Sequence, residues 1–370
     1  MIYSFGIAIT AFLTVLLSFK KNQTPADRIL FLWLFLAFVH QVLNYFDASG
    51  IYQTRFSFLI GANLPLPLIH APFLFLYVSE LTGTSPKNKL VNLIHFLPAI
   101  IFYIFLFNFF KLPVEKKLFV MSHKGAGYEN LVLIKFIAII ISGLVYVIWS
   151  LYKIKKYQEK IKDVFSNTEK INLQWLKILT YGIGIIWMVV MLGDEKKTSL
   201  AISLFTSVIG FFGIRQVHIF SNIQQGTGTT SDPRQPTGSE PPKYESSGLT
   251  AEKKDIIQTA LQQQIDENKL FLNPDLSLDI LAAAIHLHPN YVSQYINECL
   301  GFTFYDYINS KRVEEFKRQV NLPENKNLSL LGIAFGCGFN SKSSFNRNFK
   351  KIAGMTPSEY LDSPKIVSVS

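Results

Sequence analysis

The stretch Leu328 to Tyr360, LSLLGIAFGCGFNSKSSFNRNFKKIAGMTPSEY, constrains the fold of this chain more tightly than any other. Ser329 is placed to cap a short helix in which Leu330, Ile333 and Ala334 fall at i, i+3 and i+4 and bury one face. Gly336 and Gly338 break that helix, Phe339 closes the turn, and Asn340 or Ser341 opens a second helix. There Phe345 and Phe349 point inward while Lys342, Ser343, Asn346, Arg347 and Lys350 point outward. Thr356-Pro357-Ser358-Glu359 then reads as a capping box with proline at the first helical position. The spacing predicts a helix-turn-helix followed by a third, short helix.

The same arrangement occurs once upstream, in LSLDILAAAIHLHPNYVSQYINECLG. Leu278, Leu281, Ala282 and Ile285 form the stripe of a first helix, and His286 to His288 make the turn. Pro289 to Leu300 form a second helix ended by Gly301. Thr303 and Asp306 open a longer helix that joins the two units and runs to about Val320. Amphipathic helix pairs with glycine turns also occur in proteins that never touch DNA. The doubled unit is more specific, and Leu276 to Leu361 resembles the AraC/XylS family of bacterial transcriptional regulators. The resemblance is carried by the LxxxIxLxPxYVSxxI pattern, the central NSKRVEEFKR and the closing IAxxxGFxxxSxFxRxFKKxxGxTPSEY.

The resemblance implies double-stranded DNA as partner, read by two recognition helices at Pro289 to Leu300 and Ser341 to Lys351, which would enter successive major-groove segments about one helical turn apart. In the first, Asn290, Ser293, Gln294 and Asn297 are the candidates for base edges. In the second, Lys342, Ser343, Asn346 and Arg347 face bases or the adjoining backbone, and Lys350 and Lys351 face phosphates. The chain departs from the family at Gly332, where an acidic residue would complete the cap with Ser329, and at His288, where a better N-cap normally sits. Phe316, Phe335, Phe339, Phe345 and Phe349 are expected in the core. Leu249 to Lys269 reads as an amphipathic helix with Ile256, Ile257, Ala260, Leu261 and Ile265 on one side, either packed on this domain or forming a dimer contact.

The rest of the chain is of a different kind. Hydrophobic residues make up 49% of the 370, with 32 Phe, and mean hydropathy is positive, so membrane spans are expected rather than a wholly soluble regulator. Ile2 to Phe19 is an apolar run followed by Lys20 and Lys21. With no basic residue in front and no small-residue cleavage site behind, it reads as a retained first span with its N-terminus outside. Further spans are expected at Ile29 to Phe46, Phe56 to Val78, Leu90 to Phe110, Leu131 to Leu151, Leu176 to Leu192 and Leu200 to Ile214. That makes about seven, or five if the last two are buried core helices or a re-entrant pair joined by Gly193 to Thr198.

Basic residues flanking the spans number eleven in the loops that this order places inside and seven in those it places outside. The bias and the odd span count both put Arg215 and all residues after it in the cytoplasm of a bacterial cell, beneath its inner membrane. The net charge of +10 is not a DNA-binding footprint of the C-terminal part. From Leu249 onward acidic and basic residues balance at thirteen each, so the surplus lies in the membrane half, where anionic lipid attracts it. What matters for DNA is local: Ser341 to Lys351 holds four basic residues and no acidic one.

Between the halves, Ser221 to Gly248 is rich in Gly, Thr, Ser and Pro and is expected to be disordered, a coil spanning on the order of 30 Å. Such a tether argues against a rigid lever from spans to DNA. Within the membrane half, His40, Asn44, Asn63 and His70 are the candidates for lining a ligand pocket, with bridging of neighbouring helices as the alternative. Lys135 is expected to snorkel to the outer surface. No paired membrane carboxylates, HExxH, GxSxG or phosphate-cradling loop is present, and two isolated cysteines frame neither a disulfide nor a metal site, so no catalytic residue, metal or cofactor is expected.

The expected fold class is therefore all-α: an N-terminal multi-pass transmembrane helix bundle over residues 1–220, a disordered linker over 221–248, and an AraC-type double helix-turn-helix domain over 249–370. The expected function is that of a membrane-tethered one-component regulator, with double-stranded DNA and the lipid bilayer as partners. A homodimer and an unknown small-molecule or lipid-phase signal are the further partners considered. The alternative is a receptor or transporter-like bundle whose cytoplasmic tail binds a protein.

Overall fold

A computed structural model describes residues 2–51, 56–169, 171–192, 200–202, 204–205 and 249–362. Among these the chain is helical, with no strand and a single β-type pairing, the antiparallel bridge between Phe165 and Ser277. The expected linker 221–248 and the turn 193–198 lie outside the described residues, as does most of the expected span from Leu200 to Ile214. The chain divides into two compact units, one comprising Met1–Lys155 and Leu173–Gly238, the other Lys156–Asn172 and Ser239–Ser370.

The first unit contains α1 (Ile2–Ser18), α2 (Pro25–Ser49), α3 (Pro67–Leu81), α4 (Leu97–Phe105), α5 (Phe107–Phe110), α6 (Val114–Ser122), α7 (Glu129–Lys160, whose last residues pass into the second unit) and α8 (Gln174–Leu192). The start of α2 is fixed by a reciprocal cap. Thr24 Oγ1 accepts from Asp27 N (3.2 Å) and Asp27 Oδ2 from Thr24 N (2.8 Å), while Lys20 pairs with the same carboxylate at 2.8 Å. Gly50, at φ +72°, ends the helix in the left-handed conformation glycine adopts without cost.

Two of the expected spans are not continuous helices. From Phe56 the chain makes a 3-10 turn (Ser57–Leu59) and further turns before α3, and from Lys89 a 3-10 segment (Lys89–Phe96) precedes α4 and α5. Hydropathy registers the apolar composition of such stretches but not the turn geometry within them. Among the described residues, two helices are long and apolar enough to cross a membrane, Pro25–Ser49 and Glu129–Asp163. The second has only 11% of its most apolar 18-residue window buried, and Ile141, Leu144 and Ile148 are exposed.

The second unit is built on two apolar cores sharing one helix. Helix α9 (Ala251–Leu261), capped by Thr250, widens into the π-helix Gln262–Glu267 and buries Ile257, Leu261 and Ile265. They join Leu278, Leu281 and Ala282 of α10 (Leu278–Ala284), Val292 of α11 (Pro289–Gln294) and Ile296 in the first core. The N-terminal segment therefore packs on this unit, although Ile256, expected on the buried side, is exposed. Helix α12 (Phe304–Gln319) gives Phe304, Tyr307 and Ile308 to the first core and Val313 and Phe316 to the second. The second core is completed by Ile333 and Ala334 of α13 (Leu330–Gly336), by Cys337 and Phe339, and by Phe345 and Phe349 of α14 (Lys342–Ala353). A last helix, α15 (Pro357–Asp362), closes the unit. Phe335, expected in this core, is instead 47% exposed.

Candidate nucleic-acid interface

The helices of this unit are started by short polar caps. Ser341 Oγ accepts from Ser344 N (3.1 Å) to start α14, and Ser329 Oγ accepts from Gly332 N (3.0 Å) to start α13 with the reciprocal half of the box absent. His288 caps α11 through its ring, Nδ1 accepting from Asn290 N at 3.2 Å, so an imidazole does the work of the expected serine or aspartate. Thr356 and Glu359 make a full box, with Glu359 Oε2 accepting from Thr356 N (2.7 Å) and Thr356 Oγ1 from Glu359 N (3.3 Å).

Helix α14 separates its faces cleanly. Ser344, Phe345, Asn348 and Phe349 are buried, and Lys342, Ser343, Asn346, Arg347, Lys350 and Lys351 are exposed. Two of the exposed cations are nevertheless held. Arg347 donates through its terminal nitrogen to the Tyr305 hydroxyl (2.9 Å), which also accepts from the buried Asn348 amide (2.7 Å). Lys351 is paired with Asp306 at 2.6 Å. Among the described residues Lys342 and Lys350 thus carry charge to the surface without an ion pair, in a geometry suited to phosphate.

The first candidate recognition helix carries no Lys or Arg. Its α-helical part ends at Gln294 and continues as a π-helix, Tyr295–Cys299, in which Leu300 N reaches back to Tyr295 O. Asn290 and Asn297 are exposed and Ser293 and Gln294 half-buried; Asn297 Nδ2 donates to Ser293 Oγ (3.3 Å) and Gln294 Nε2 to the Glu298 carboxylate (3.1 Å). These amides can offer base edges both a donor and an acceptor.

Two polar clusters of this unit join residues distant in sequence. Glu315, nearly buried, accepts from Arg318, Gln319 and Lys269, and these bonds, Arg318's foremost, pull its carboxyl down to about 2. Between the two cores lies Arg312, 1% exposed and in no ion pair among the described residues; burial, partly offset by Asp275, lowers it to about 10. Its donors end on neutral oxygens: Nε on Phe271 O (2.8 Å), one terminal nitrogen on Asn273 O (2.7 Å) and Ser166 Oγ (3.1 Å), the other on Ser166 O and Asn309 Oδ1 (3.4 Å each). The turn of the second helix-turn-helix closes over it. Gly338 stands at φ +92°, and a Cβ there would meet Phe271 O at 2.6 Å and Arg312 Nε at 2.9 Å.

The four candidate residues of the first unit meet as two pairs. Asn63 Nδ2 donates to Asn44 Oδ1 (2.9 Å), and His40 Nδ1 lies 2.9 Å from His70 Nε2. Trp33 Nε1 donates to His70 Nδ1 at 3.2 Å, so in the neutral form His70 carries its proton on Nε2 and donates to His40. None of the four lines the larger described cavity, about 240 Å3, which is walled by Phe102, Phe109, Tyr128 and Lys135 among others. In this geometry the four bridge neighbouring segments. No group of His, Cys, Asp and Glu that would hold a metal occurs among the described residues.

A protein-family profile described as a helix-turn-helix domain matches residues 281–363. The relatives that follow align with less than a third of this chain. An uncharacterized HTH-type transcriptional regulator of Staphylococcus aureus (strain COL) is 31% identical over 100 residues, 27% of this chain and 13% of the relative. YtdP of Bacillus subtilis (strain 168) is 30% identical over 86 residues, 23% of this chain and 11% of the relative. YijO of Escherichia coli (strain K12) is 30% identical over 111 residues, 30% of this chain and 37% of the relative. Both are likewise described as uncharacterized HTH-type transcriptional regulators. No solved structure gives a significant match. The chain thus spans well under half of each of these relatives, and the family match shows a helix-turn-helix domain over residues 281–363.

Proposed function

We propose that the chain is a membrane-tethered, one-component transcription regulator. Its C-terminal unit binds a specific site in double-stranded DNA, with α11 and α14 in successive major-groove segments. The observation that carries this reading is the exposed face of α14, where Lys342, Ser343, Asn346, Arg347 and Lys350 stand over an apolar core inside the region matched by the helix-turn-helix family. The division of labour follows from the residue types: α14 supplies charge for phosphates and an Arg for a base edge, and α11 supplies amides for base discrimination only.

The membrane tether is supported by α7, a long apolar helix with little of its surface covered, and by the positive bias of the loops read as cytoplasmic. In this reading the first unit is a multi-pass helical bundle in the bacterial inner membrane with its N-terminus outside. A small-molecule or lipid-phase cue alters its packing or its self-association. Two chains side by side would raise the effective concentration of paired readers on one operator.

Footprinting by the full chain in lipid nanodiscs on genomic fragments tests the proposal. Saturable, salt-sensitive protection that is lost on Arg347→Ala supports it. Binding without preference over bulk DNA, together with capture of a defined protein by the tail, would favour a receptor whose tail recruits a protein partner. Replacing the first unit by an unrelated anchor with no change in regulation would reduce that unit to an anchor.

A further inference from the structure

The DNA-binding unit contains a piece of chain from far upstream. Residues Lys156–Asn172, which connect α7 to α8, belong to the same compact unit as the double helix-turn-helix. α7 runs to Lys160 and continues as a 3-10 turn, Ile161–Asp163, that packs against α12 with Ile161 buried. Phe165 then pairs with Ser277, the residue that caps the first helix-turn-helix: Leu278 N donates to Val164 O (2.8 Å) and Ser166 N to Leu276 O (3.3 Å).

Ser166 is the tip of this segment and is 1% exposed. Its hydroxyl donates to Leu276 O and accepts from Arg312 (3.1 Å), and its carbonyl accepts from Arg312 (3.4 Å) and from Asn309 Nδ2 (3.0 Å). The guanidinium it satisfies is the one wedged between the two cores and under the Gly338 turn of the second helix-turn-helix. Without Ser166, one terminal nitrogen of Arg312 keeps only Asn309 Oδ1, and a buried cation left short of acceptors is strongly unfavourable. The segment is therefore a structural component of the junction that sets the two readers relative to each other.

We propose that residues 161–168 are an intramolecular input to the DNA-binding unit. Docked, they complete the Arg312 junction and hold the two reader helices in one setting; undocked, the junction opens and the readers lose their fixed relation. Because α7 leads into the segment and α8 leads out of it, a change in how those helices pack biases docking directly. No transmission through the 221–248 linker is needed. This rests on the DNA-binding reading of the unit, and docking itself is measured without DNA.

The test uses the full chain in nanodiscs. Phe165 and Ser277 form a non-hydrogen-bonded antiparallel pair, whose Cα atoms stand about 4.5 Å apart and fit a disulfide. With the exposed Cys299 replaced by Ser, and Cys337 buried with its thiol pushed up to about 12, Phe165→Cys/Ser277→Cys is expected to cross-link in most molecules on mild oxidation. Adding Ser166→Lys, which sets a second cation against Arg312, is expected to abolish the cross-link. Alone, Ser166→Lys is expected to weaken operator binding at least tenfold, and Ser166→Ala less. Hydrogen exchange in the unmodified chain supplies a readout free of substitutions, the Ser166 and Leu278 amides being expected to exchange at least a hundredfold more slowly than in unstructured chain.

Absence of both the cross-link and the amide protection would overturn docking. A cross-link that forms while Ser166→Lys leaves operator affinity unchanged would overturn the input role. Failure of the DNA-binding reading is distinct: the unmodified chain would show no sequence preference whether or not the cross-link forms.

Discussion

The Tyr305 hydroxyl accepts from both Arg347 and Asn348, so one buried oxygen orients an exposed guanidinium and satisfies a core amide. Tyr305→Phe is expected to destabilise the C-terminal unit by about 1 kcal/mol and to weaken operator binding although every cation remains. Wild-type affinity in that variant, measured by fluorescence anisotropy, would contradict the orienting role. Gly338→Ala places a Cβ at φ +92° against two carbonyl oxygens and the Arg312 Nε. Strain and overlap together are expected to cost about 2–4 kcal/mol, read as increased sensitivity of this unit to pulse proteolysis; unchanged protection would contradict the geometry. Glu315, held near 2 in the folded state, stabilises the unit fully above its unfolded value of about 4.5. That stabilisation, on the order of 2 kcal/mol, is lost as pH falls from about 4.5 toward 2. Glu315→Gln is expected to remove this pH dependence, compared with the wild type by pepsin susceptibility at each pH.

The two helices proposed to enter the major groove differ in what they would contribute. Lys350→Ala is expected to weaken binding to all sequences and to lower the salt slope by about one, whereas Asn290→Ala or Asn297→Ala relaxes base preference and leaves the slope unchanged. Lys351→Ala, removing a cation already paired with Asp306, is expected to change the slope least. Equal slopes for Lys350→Ala and the wild type would place that lysine off the phosphates. Much of this element structure was legible in the sequence, because caps and apolar stripes are local: Ser329, Ser341, Thr303 and Thr356 start helices where their side chains predict. The segment from Leu249 also packs as its stripe indicates, apart from Ile256. What was not legible is non-local or geometrical. The π-helices at Gln262–Glu267 and Tyr295–Cys299 keep helical composition, and the breaks before α3 and α4 keep apolar composition, so pattern alone passes over them. Ser166 sits in a short polar loop, and nothing near it in sequence announces partners at Leu276 and Arg312.

For the whole molecule, residues 156–172, between α7 and α8, belong to the compact unit that holds the C-terminal helix-turn-helix. Arg312 and Asn309 lie in the stretch NSKRVEEFKR by which the family resemblance was identified, yet their upstream acceptor comes from outside the matched region. Everything proposed for the molecule depends on the C-terminal unit reading DNA sequence with two helices. The most direct test is selection from a random duplex library by the full chain in nanodiscs, at stated salt. Two readers on one face of the duplex predict enrichment of a site with two blocks centred about 10 base pairs apart, abolished by Arg347→Ala. Recovery of sequences no different from the starting library would contradict this.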